Sequence, residues 1–289
     1  MTEPLTDTNS SNSSSQMAVL EPTSLSLIAE QIDMDSLTAS LAALREPVSE
    51  KPTTAAVIVA GGSGERFGNP EGKQLLRILG KPILTWSAEA FDAVADVGLI
   101  VIVAPPERIE EYRYEAIDCF QFSTPIIMAA AGAIRQESSF SGINQVPEDY
   151  ELIAIHDGAR PLITSELISH VISTVRGNLE IDGVVVGYPA IDTLKLVNGL
   201  RILGSPDRSL LWVAQTPQVF RAPIIREAHM SALTEGFVGT DDSSLVERIE
   251  GSMMLVQGPR DNFKLTVPED QASIEAALLR RMAEKGILL

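Results

Sequence analysis

Residues 60–74 read AGGSGERFGNPEGKQ, a glycine-rich stretch in which Arg66 and Lys73 follow Gly61, Gly62 and Gly64. Glycines at this spacing let backbone N–H groups close around phosphates, and the two cations can neutralise charge on a reacting phosphorus. The loop is not a dinucleotide fingerprint, because the sixth position counted from Gly62 is Phe67. It is not a Walker A loop either: Phe67 stands where that motif needs its first glycine, and Gln74 follows Lys73. The alternative is a glycine-rich turn whose charges are merely solvated. A second chemical element is IAIHDGARP, residues 153–161, where an apolar run ends in Asp157 with Arg160 three residues on. Asp157 is a hard oxygen ligand placed where a Mg²⁺ bridging triphosphate oxygens would sit, since Mg²⁺ uses one or two protein carboxylates. Its plainer reading is a helix cap.

The elements that must carry these residues are legible as alternation. Short apolar runs occupy residues 55–60, 98–105, 125–131, 152–157 and 183–189, with helix candidates ILTWSAEAFDAV and ITSELISHVISTV between them. Continuous Val/Ile runs joined by helices predict an α/β fold, a mainly parallel sheet with helices on both faces. Ligands bind beyond the carboxyl ends of such strands, where the loop and Asp157 both fall. Thr164-Ser165 before Glu166 reads as a helix cap. The segment DTLKLVNGLRIL, residues 192–203, alternates around Asn198-Gly199 and predicts a hairpin. Such a hairpin packs on another subunit or lies on its own body.

At 289 residues with a formal net charge of −17, the chain lacks the basic footprint of a nucleic-acid or anionic-membrane binder. No apolar run is long enough for a membrane span, and one cysteine, Cys119, points to a reducing, cytoplasmic setting. Residues 1–53 read as an acidic extension and linker: a polar run, TDTNSSNSSSQ, then a segment at residues 24–46 with helical apolar spacing. Residues 54–289 form the expected α/β domain.

Taken in order, AGGSGERFG…GKQ, HDGARP, DTLK, DRSLLWVAQTPQVF, TDDSSLVE and NFKLTVPED make residues 55–281 resemble the 2-C-methyl-D-erythritol 4-phosphate cytidylyltransferases of the non-mevalonate isoprenoid pathway. The resemblance implies a Rossmann-like nucleotidyltransferase sheet with a β-arm, at about residues 190–212, that joins two subunits into a homodimer. It implies transfer of CMP from CTP to the sugar-alcohol phosphate, with Mg²⁺ on Asp157. Arg66 and Lys73 then stabilise the transition state together with Lys264. Ala60, Gly61, Gly62, Gly64, Gly132 and Ser138 hold CTP, and Arg160, Thr193, Arg208, Thr216, Lys264 and Thr266 meet the second substrate. Thr193 and Arg208 are expected from the other subunit's arm. Small molecules are thus the expected partners. A ribitol 5-phosphate cytidylyltransferase shares the loop, the HD-x-x-R element and TPQ, but Lys195, the TDD acids and DRSLLW fit the isoprenoid enzyme better. Two positions depart from the family: Gly72 replaces a common proline, and Ala133 a common acidic residue. Arg135 reads as structural, His156 as a core or backbone-orienting residue, and Asp241 and Asp242 as a helix cap or as support for the site.

Overall fold

Runs of Val and Ile without polar alternation need cover on both faces, and a layered α/β body provides it. The computed structural model describes residues 52–62, 67, 72–284 and 286. The elements are β1 (Thr54–Val59), β2 (Arg77–Ile78), β3 (Lys81–Pro82), α1 (Ile83–Asp92), β4 (Val97–Ala104), α2 (Ile109–Arg113), β5 (Ile126–Ala130), α3 (Arg135–Ile143), β6 (Leu152–Asp157) and α4 (Ser165–Gly177). They continue with β7 (Gly183–Pro189), β8 (Leu196–Asn198), β9 (Arg201–Gly204), β10 (Trp212–Arg221), α5 (Ala222–Glu235), α6 (Asp242–Arg248), β11 (Met253–Gln257) and α7 (Asp270–Glu284). The acidic extension and its expected helix lie outside the described residues.

Seven strands form one sheet in the order β11-β7-β10-β6-β1-β4-β5. All pairings are parallel except those of β10, which runs antiparallel between β6 and β7. Side chains alternate between two cores. Ala56, Ile58, Ile100 and Ile102 face Leu84 and Phe91 of α1 and Ile168 and Val171 of α4. Val57, Val101 and Val103 face Ile143 of α3 and Ile225 and Ala228 of α5. Each fully buried aliphatic side chain contributes about 1.5–3 kcal/mol, so the two cores fix the strand register firmly. That register pairs Val59 with both Val103 and Asp157, which brings the ends of three central strands to one level.

All five apolar runs are strands. The seven-stranded sheet has two further strands: β11, whose apolar stretch MMLV is short, and β10, which has no unbroken apolar run. β10 holds polar Gln215, Thr216 and Gln218, and its pairing with β7 breaks between Ala214 and Gln218, where a proline needs no ladder hydrogen bond. The peptide bond before Pro217 is cis. Thr164 caps α4 as expected, accepting from the Leu167 N–H at 3.3 Å.

The hairpin is also present. β8 and β9 pair Asn198 with Arg201, so the two loop residues are Gly199 and Leu200. Only Gly199 has positive φ (57°), the requirement of a type II′ turn rather than the type I′ that Asn-Gly favours. Asn198 therefore ends a strand, and Gly199 supplies the conformation the turn needs. The surrounding segment leaves Leu196, Val197, Leu200, Ile202, Leu203 and Leu210 exposed.

Candidate active site

Beyond the carboxyl ends of β1 and β6 lies a cavity of about 640 Å³ lined by Gly61, Gly62, Lys73, Gln74, Gly132, Arg135, Ser138, Asp157, Lys264 and Thr266, among others. Among the described lining residues Asp157 is the sole carboxylate, set against three cations, Lys73, Arg135 and Lys264. A strongly acidic chain therefore keeps a local cationic pocket, the charge that a triphosphate requires.

Asp157 is the hub. Its Oδ1 accepts from Arg135 Nε at 3.1 Å, and its Oδ2 from Lys264 Nζ at 2.9 Å. Arg160 Nε lies 3.6 Å from the same oxygen. Burial by itself would raise the Asp157 pKa, but the charges of Arg135, Lys264 and Arg160 outweigh it and hold the carboxyl well below the usual range. The group is an anion throughout the physiological range.

Behind it runs a neutral network. The Asp157 N–H donates to Thr216 Oγ1 at 3.0 Å, and that hydroxyl donates to His156 Nδ1 at 3.0 Å. His156 Nε2–H then donates to the Arg160 carbonyl at 3.3 Å. Complete burial pushes the His156 pKa down to about 3, so its ring is neutral. The folded pKa is below the unfolded value of about 6.5, so the unfolded chain binds the proton first and stability falls as pH drops. Between about pH 6.5 and pH 5, above the window in which most carboxylates titrate, this costs up to about 1.4 kcal/mol per pH unit. Urea unfolding at pH 7 and pH 5 should show this loss in the native chain and a smaller one in His156→Asn.

Lys73 is buried and donates to the Leu265 carbonyl at 2.6 Å, while the Leu265 N–H donates to the Ala159 carbonyl at 2.8 Å. One backbone segment thus carries Lys264 to Asp157 and seats Lys73. Buried Asn262 secures that segment, donating to the Thr216 carbonyl at 3.0 Å. Gly72, just before Lys73, has φ of 74°, which proline cannot adopt. A Cβ there would lie 3.2 Å from Tyr112 Oη and 3.4 Å from Arg108 Nη1. The departure from the family's proline is built into this loop's geometry.

At the start of α3, Ser138 is buried; its Oγ accepts from the Gly132 N–H at 3.1 Å and donates to the Ile134 carbonyl at 3.0 Å. Gly132 does permit a close approach, but what approaches is Glu137, whose Cβ would lie 2.3 Å from a Cβ on residue 132. Glu137 Oε2 accepts from the Ala133 N–H at 2.8 Å. Asp241 and Asp242 divide their work. Asp241 caps α6 through the Ser244 N–H at 3.0 Å, whereas buried Asp242 accepts from Arg135 Nη1 at 2.6 Å.

Of the expected site residues, Gly61, Gly62, Lys73, Gly132, Ser138, Asp157, Lys264 and Thr266 converge on the cavity. Ala60 lies buried beneath it, its N–H on the Val103 carbonyl at 2.8 Å. Thr216 and Arg160 stand behind Asp157 rather than among the lining residues, and Arg160 Nη1 donates to the Asn262 carbonyl at 2.8 Å. Thr193 and Arg208 are exposed on the hairpin segment, Arg208 donating to the Ile191 carbonyl at 2.6 Å. Gly64 and Arg66 lie outside the described residues. Sequence reasoning missed Gln74 and Asn262, which stand in GKQ and NFKLTVPED without a role of their own there, and His229, which carries no motif.

Among the described residues no cluster of three or more His, Cys, Asp or Glu could hold a metal, and no helix is long and apolar enough to cross a membrane. Curated relatives include the 2-C-methyl-D-erythritol 4-phosphate cytidylyltransferases of Caldanaerobacter subterraneus, 42% identical over 77% of this chain and 97% of theirs, and of Geobacter metallireducens, 39% identical over 78% and 98%. The crystal structure of 4-diphosphocytidyl-2C-methyl-D-erythritol synthase from Anaerococcus prevotii matches with a TM-score of 0.69 at 25% identity, covering 81% of this chain and 98% of that one. The Thermus thermophilus 2-C-methyl-D-erythritol 4-phosphate cytidylyltransferase matches at 0.61 and 26%, covering 78% and 98%. The family model of 2-C-methyl-D-erythritol 4-phosphate cytidylyltransferase spans residues 54–280, and with these relatives it shows that the chain belongs to that family.

Proposed function

We propose that the chain transfers the CMP moiety of CTP to 2-C-methyl-D-erythritol 4-phosphate, giving 4-diphosphocytidyl-2-C-methyl-D-erythritol and pyrophosphate. The carrying observation is a cavity lined by Lys73, Arg135 and Lys264, the last two paired with Asp157, in a chain of this family. A phosphate oxygen of the alcohol phosphate attacks the α-phosphorus of CTP in line; the new P–O bond forms as the bond to the β-phosphate oxygen breaks, and pyrophosphate leaves. The attacking phosphate is already ionised, so no general base is needed. The chain's task is positioning and charge stabilisation.

Arg66 and Lys73 hold the triphosphate, and Lys264 and Thr266 the incoming phosphate. Arg160 and Thr216 act from behind Asp157. Ala60, Gly61, Gly62, Gly64, Gly132 and Ser138 shape the nucleotide side, where backbone groups read a small cytosine ring. Asp157 fits as a single protein ligand for Mg²⁺: each carboxylate oxygen carries one hydrogen bond at 2.9–3.1 Å, leaving acceptor capacity on a hard donor facing the cavity. When bound, the ion supplies Lewis-acid charge neutralisation at the triphosphate. The single, exposed Cys119 is in keeping with a cytoplasmic setting. CTP-dependent pyrophosphate release with 2-C-methyl-D-erythritol 4-phosphate, with and without Mg²⁺, tests the reading. Release that needs the alcohol phosphate and the metal supports it, and release without either sinks it.

The exposed apolar hairpin segment is the dimer contact, carrying Thr193 and Arg208 into the partner's cavity. A two-stranded ribbon cannot bury both faces on its own. The double substitution Leu196→Asp and Ile202→Asp should therefore shift the mass by light scattering from twice 31.1 kDa to the single-chain value and lower activity at least about tenfold. A double variant that remains dimeric and active would assign the hairpin another role.

A further inference from the structure

His229 and Asp242 are deeply buried ionisable side chains, each 1% exposed, and neither is among the residues that line the cavity. A buried carboxylate is costly unless opposing charge and hydrogen bonds compensate it. His229 Nε2 donates to Asp242 Oδ1 at 3.1 Å, and Asp242 Oδ2 accepts from Arg135 Nη1 at 2.6 Å. Arg135 Nε, in the same rigid guanidinium plane, donates to Asp157 Oδ1 at 3.1 Å. Fixing one nitrogen of a planar fork fixes the direction of the others.

The seat of this chain of contacts is firmly built. Phe140 stacks on the His229 ring with centroids 5.6 Å apart and planes 6° from parallel. Gln218 donates to Asp241 Oδ2 at 2.6 Å and accepts from the Ser243 N–H at 3.1 Å, holding the first turn of α6. Gln136, beside Arg135, donates to the Phe237 carbonyl at 3.0 Å and accepts from the Gly239 N–H at 2.9 Å. The first turn of α3 is thereby clipped to the connection between α5 and α6.

We propose that Asp242, aimed by His229, is a positioning residue for nucleotidyl transfer: it orients the Arg135 guanidinium, which in turn fixes Asp157 in the cavity. The proposal rests on the functional reading above and adds residues that touch neither substrate. A merely structural Asp242 would lower stability and leave the chemistry of the folded enzyme unchanged. An orienting one changes turnover more than affinity, because its effect arrives through Asp157 at the reacting phosphorus.

The test uses the full chain, CTP and 2-C-methyl-D-erythritol 4-phosphate, with the native protein alongside. Asp242→Asn should lower kcat between about tenfold and a hundredfold with KM for both substrates within about threefold. CTP affinity by calorimetry without the second substrate should also stay within about threefold. Because Asp242 acts through Arg135, the double variant with Arg135→Gln should be no slower than Arg135→Gln alone. A kcat within twofold of native, or losses that multiply in the double variant, would overturn the proposal. His229→Leu keeps the carboxylate and loses only its anchor, so it decides the matter if Asp242→Asn does not fold. Its kcat should fall about threefold to tenfold, and an unchanged kcat in the folded variant would count against the proposal. Absence of turnover in the native chain would instead remove the functional reading, and this inference with it.

Discussion

Replacing Asp157 by asparagine should lower kcat on the order of 10³-fold while leaving KM for CTP unchanged or reduced. Asparagine keeps the shape and removes the charge that Arg135, Lys264 and Arg160 converge on from 2.9 to 3.6 Å. Two effects then compete. The released cations bind the triphosphate more strongly, which favours affinity. Loss of the carboxylate removes the proposed anchor for the divalent ion and lets those cations settle on ground-state oxygens, which disfavours turnover. The second effect wins in kcat, and the first shows in KM. Folded-state stability should fall as well, by several kcal/mol, because breaking a buried charge cluster leaves its partners uncompensated. The sign with pH follows from a folded pKa held below the unfolded one: the native carboxylate stabilises the fold above about pH 4, and that stabilisation is lost as pH falls further. Asp157→Asn should therefore flatten the acid limb of the stability curve below about pH 4, read by urea titration. An asparagine variant with native kcat would dismiss Asp157 from the mechanism.

Lys73→Ala carries the second large effect, a loss of kcat on the order of 10³-fold in a chain that remains folded. Lys73 is buried, yet its side chain reaches the cavity surface, and its Nζ is seated on the Leu265 carbonyl at 2.6 Å. A compact ammonium held in place stabilises developing charge without reorganising, which is where such groups act most strongly. Lys73→Arg should not restore activity, because a planar fork cannot occupy a seat built for a point donor. Steady-state rates with circular-dichroism melts on the same samples would check this, and near-native turnover of the alanine variant would overturn the proposed role of Lys73.

Much of the fold and of the site is legible in the sequence. The five apolar runs became strands because unbroken Val and Ile stretches have no other stable place in a layered body. The rule that ligands lie beyond strand ends points to Gly61 and Asp157 directly, and the glycine-rich loop with its two cations points to Lys73. What stayed hidden depends on partners distant in sequence. β10 has no unbroken apolar run to mark it, because Gln215, Thr216 and Pro217 occupy its irregular section, where Thr216 supports Asp157. His229 is one histidine in an ordinary helix until the fold sets it 3.1 Å from Asp242. The TDD acids could not be separated by sequence either, since a cap and a buried ion-pair partner differ only in what lies opposite. Gly72 was visible as a departure from the family, but its reason, a positive φ beside Tyr112, is tertiary.

The most direct measurement offers the enzyme, CTP and Mg²⁺ an equimolar mixture of 2-C-methyl-D-erythritol 4-phosphate and D-ribitol 5-phosphate, and identifies the products by mass spectrometry. The account predicts 4-diphosphocytidyl-2-C-methyl-D-erythritol as the dominant product, with one pyrophosphate per molecule formed. A product mixture dominated by the cytidine diphosphate ester of ribitol, or no CTP-dependent product from either alcohol phosphate, would contradict it.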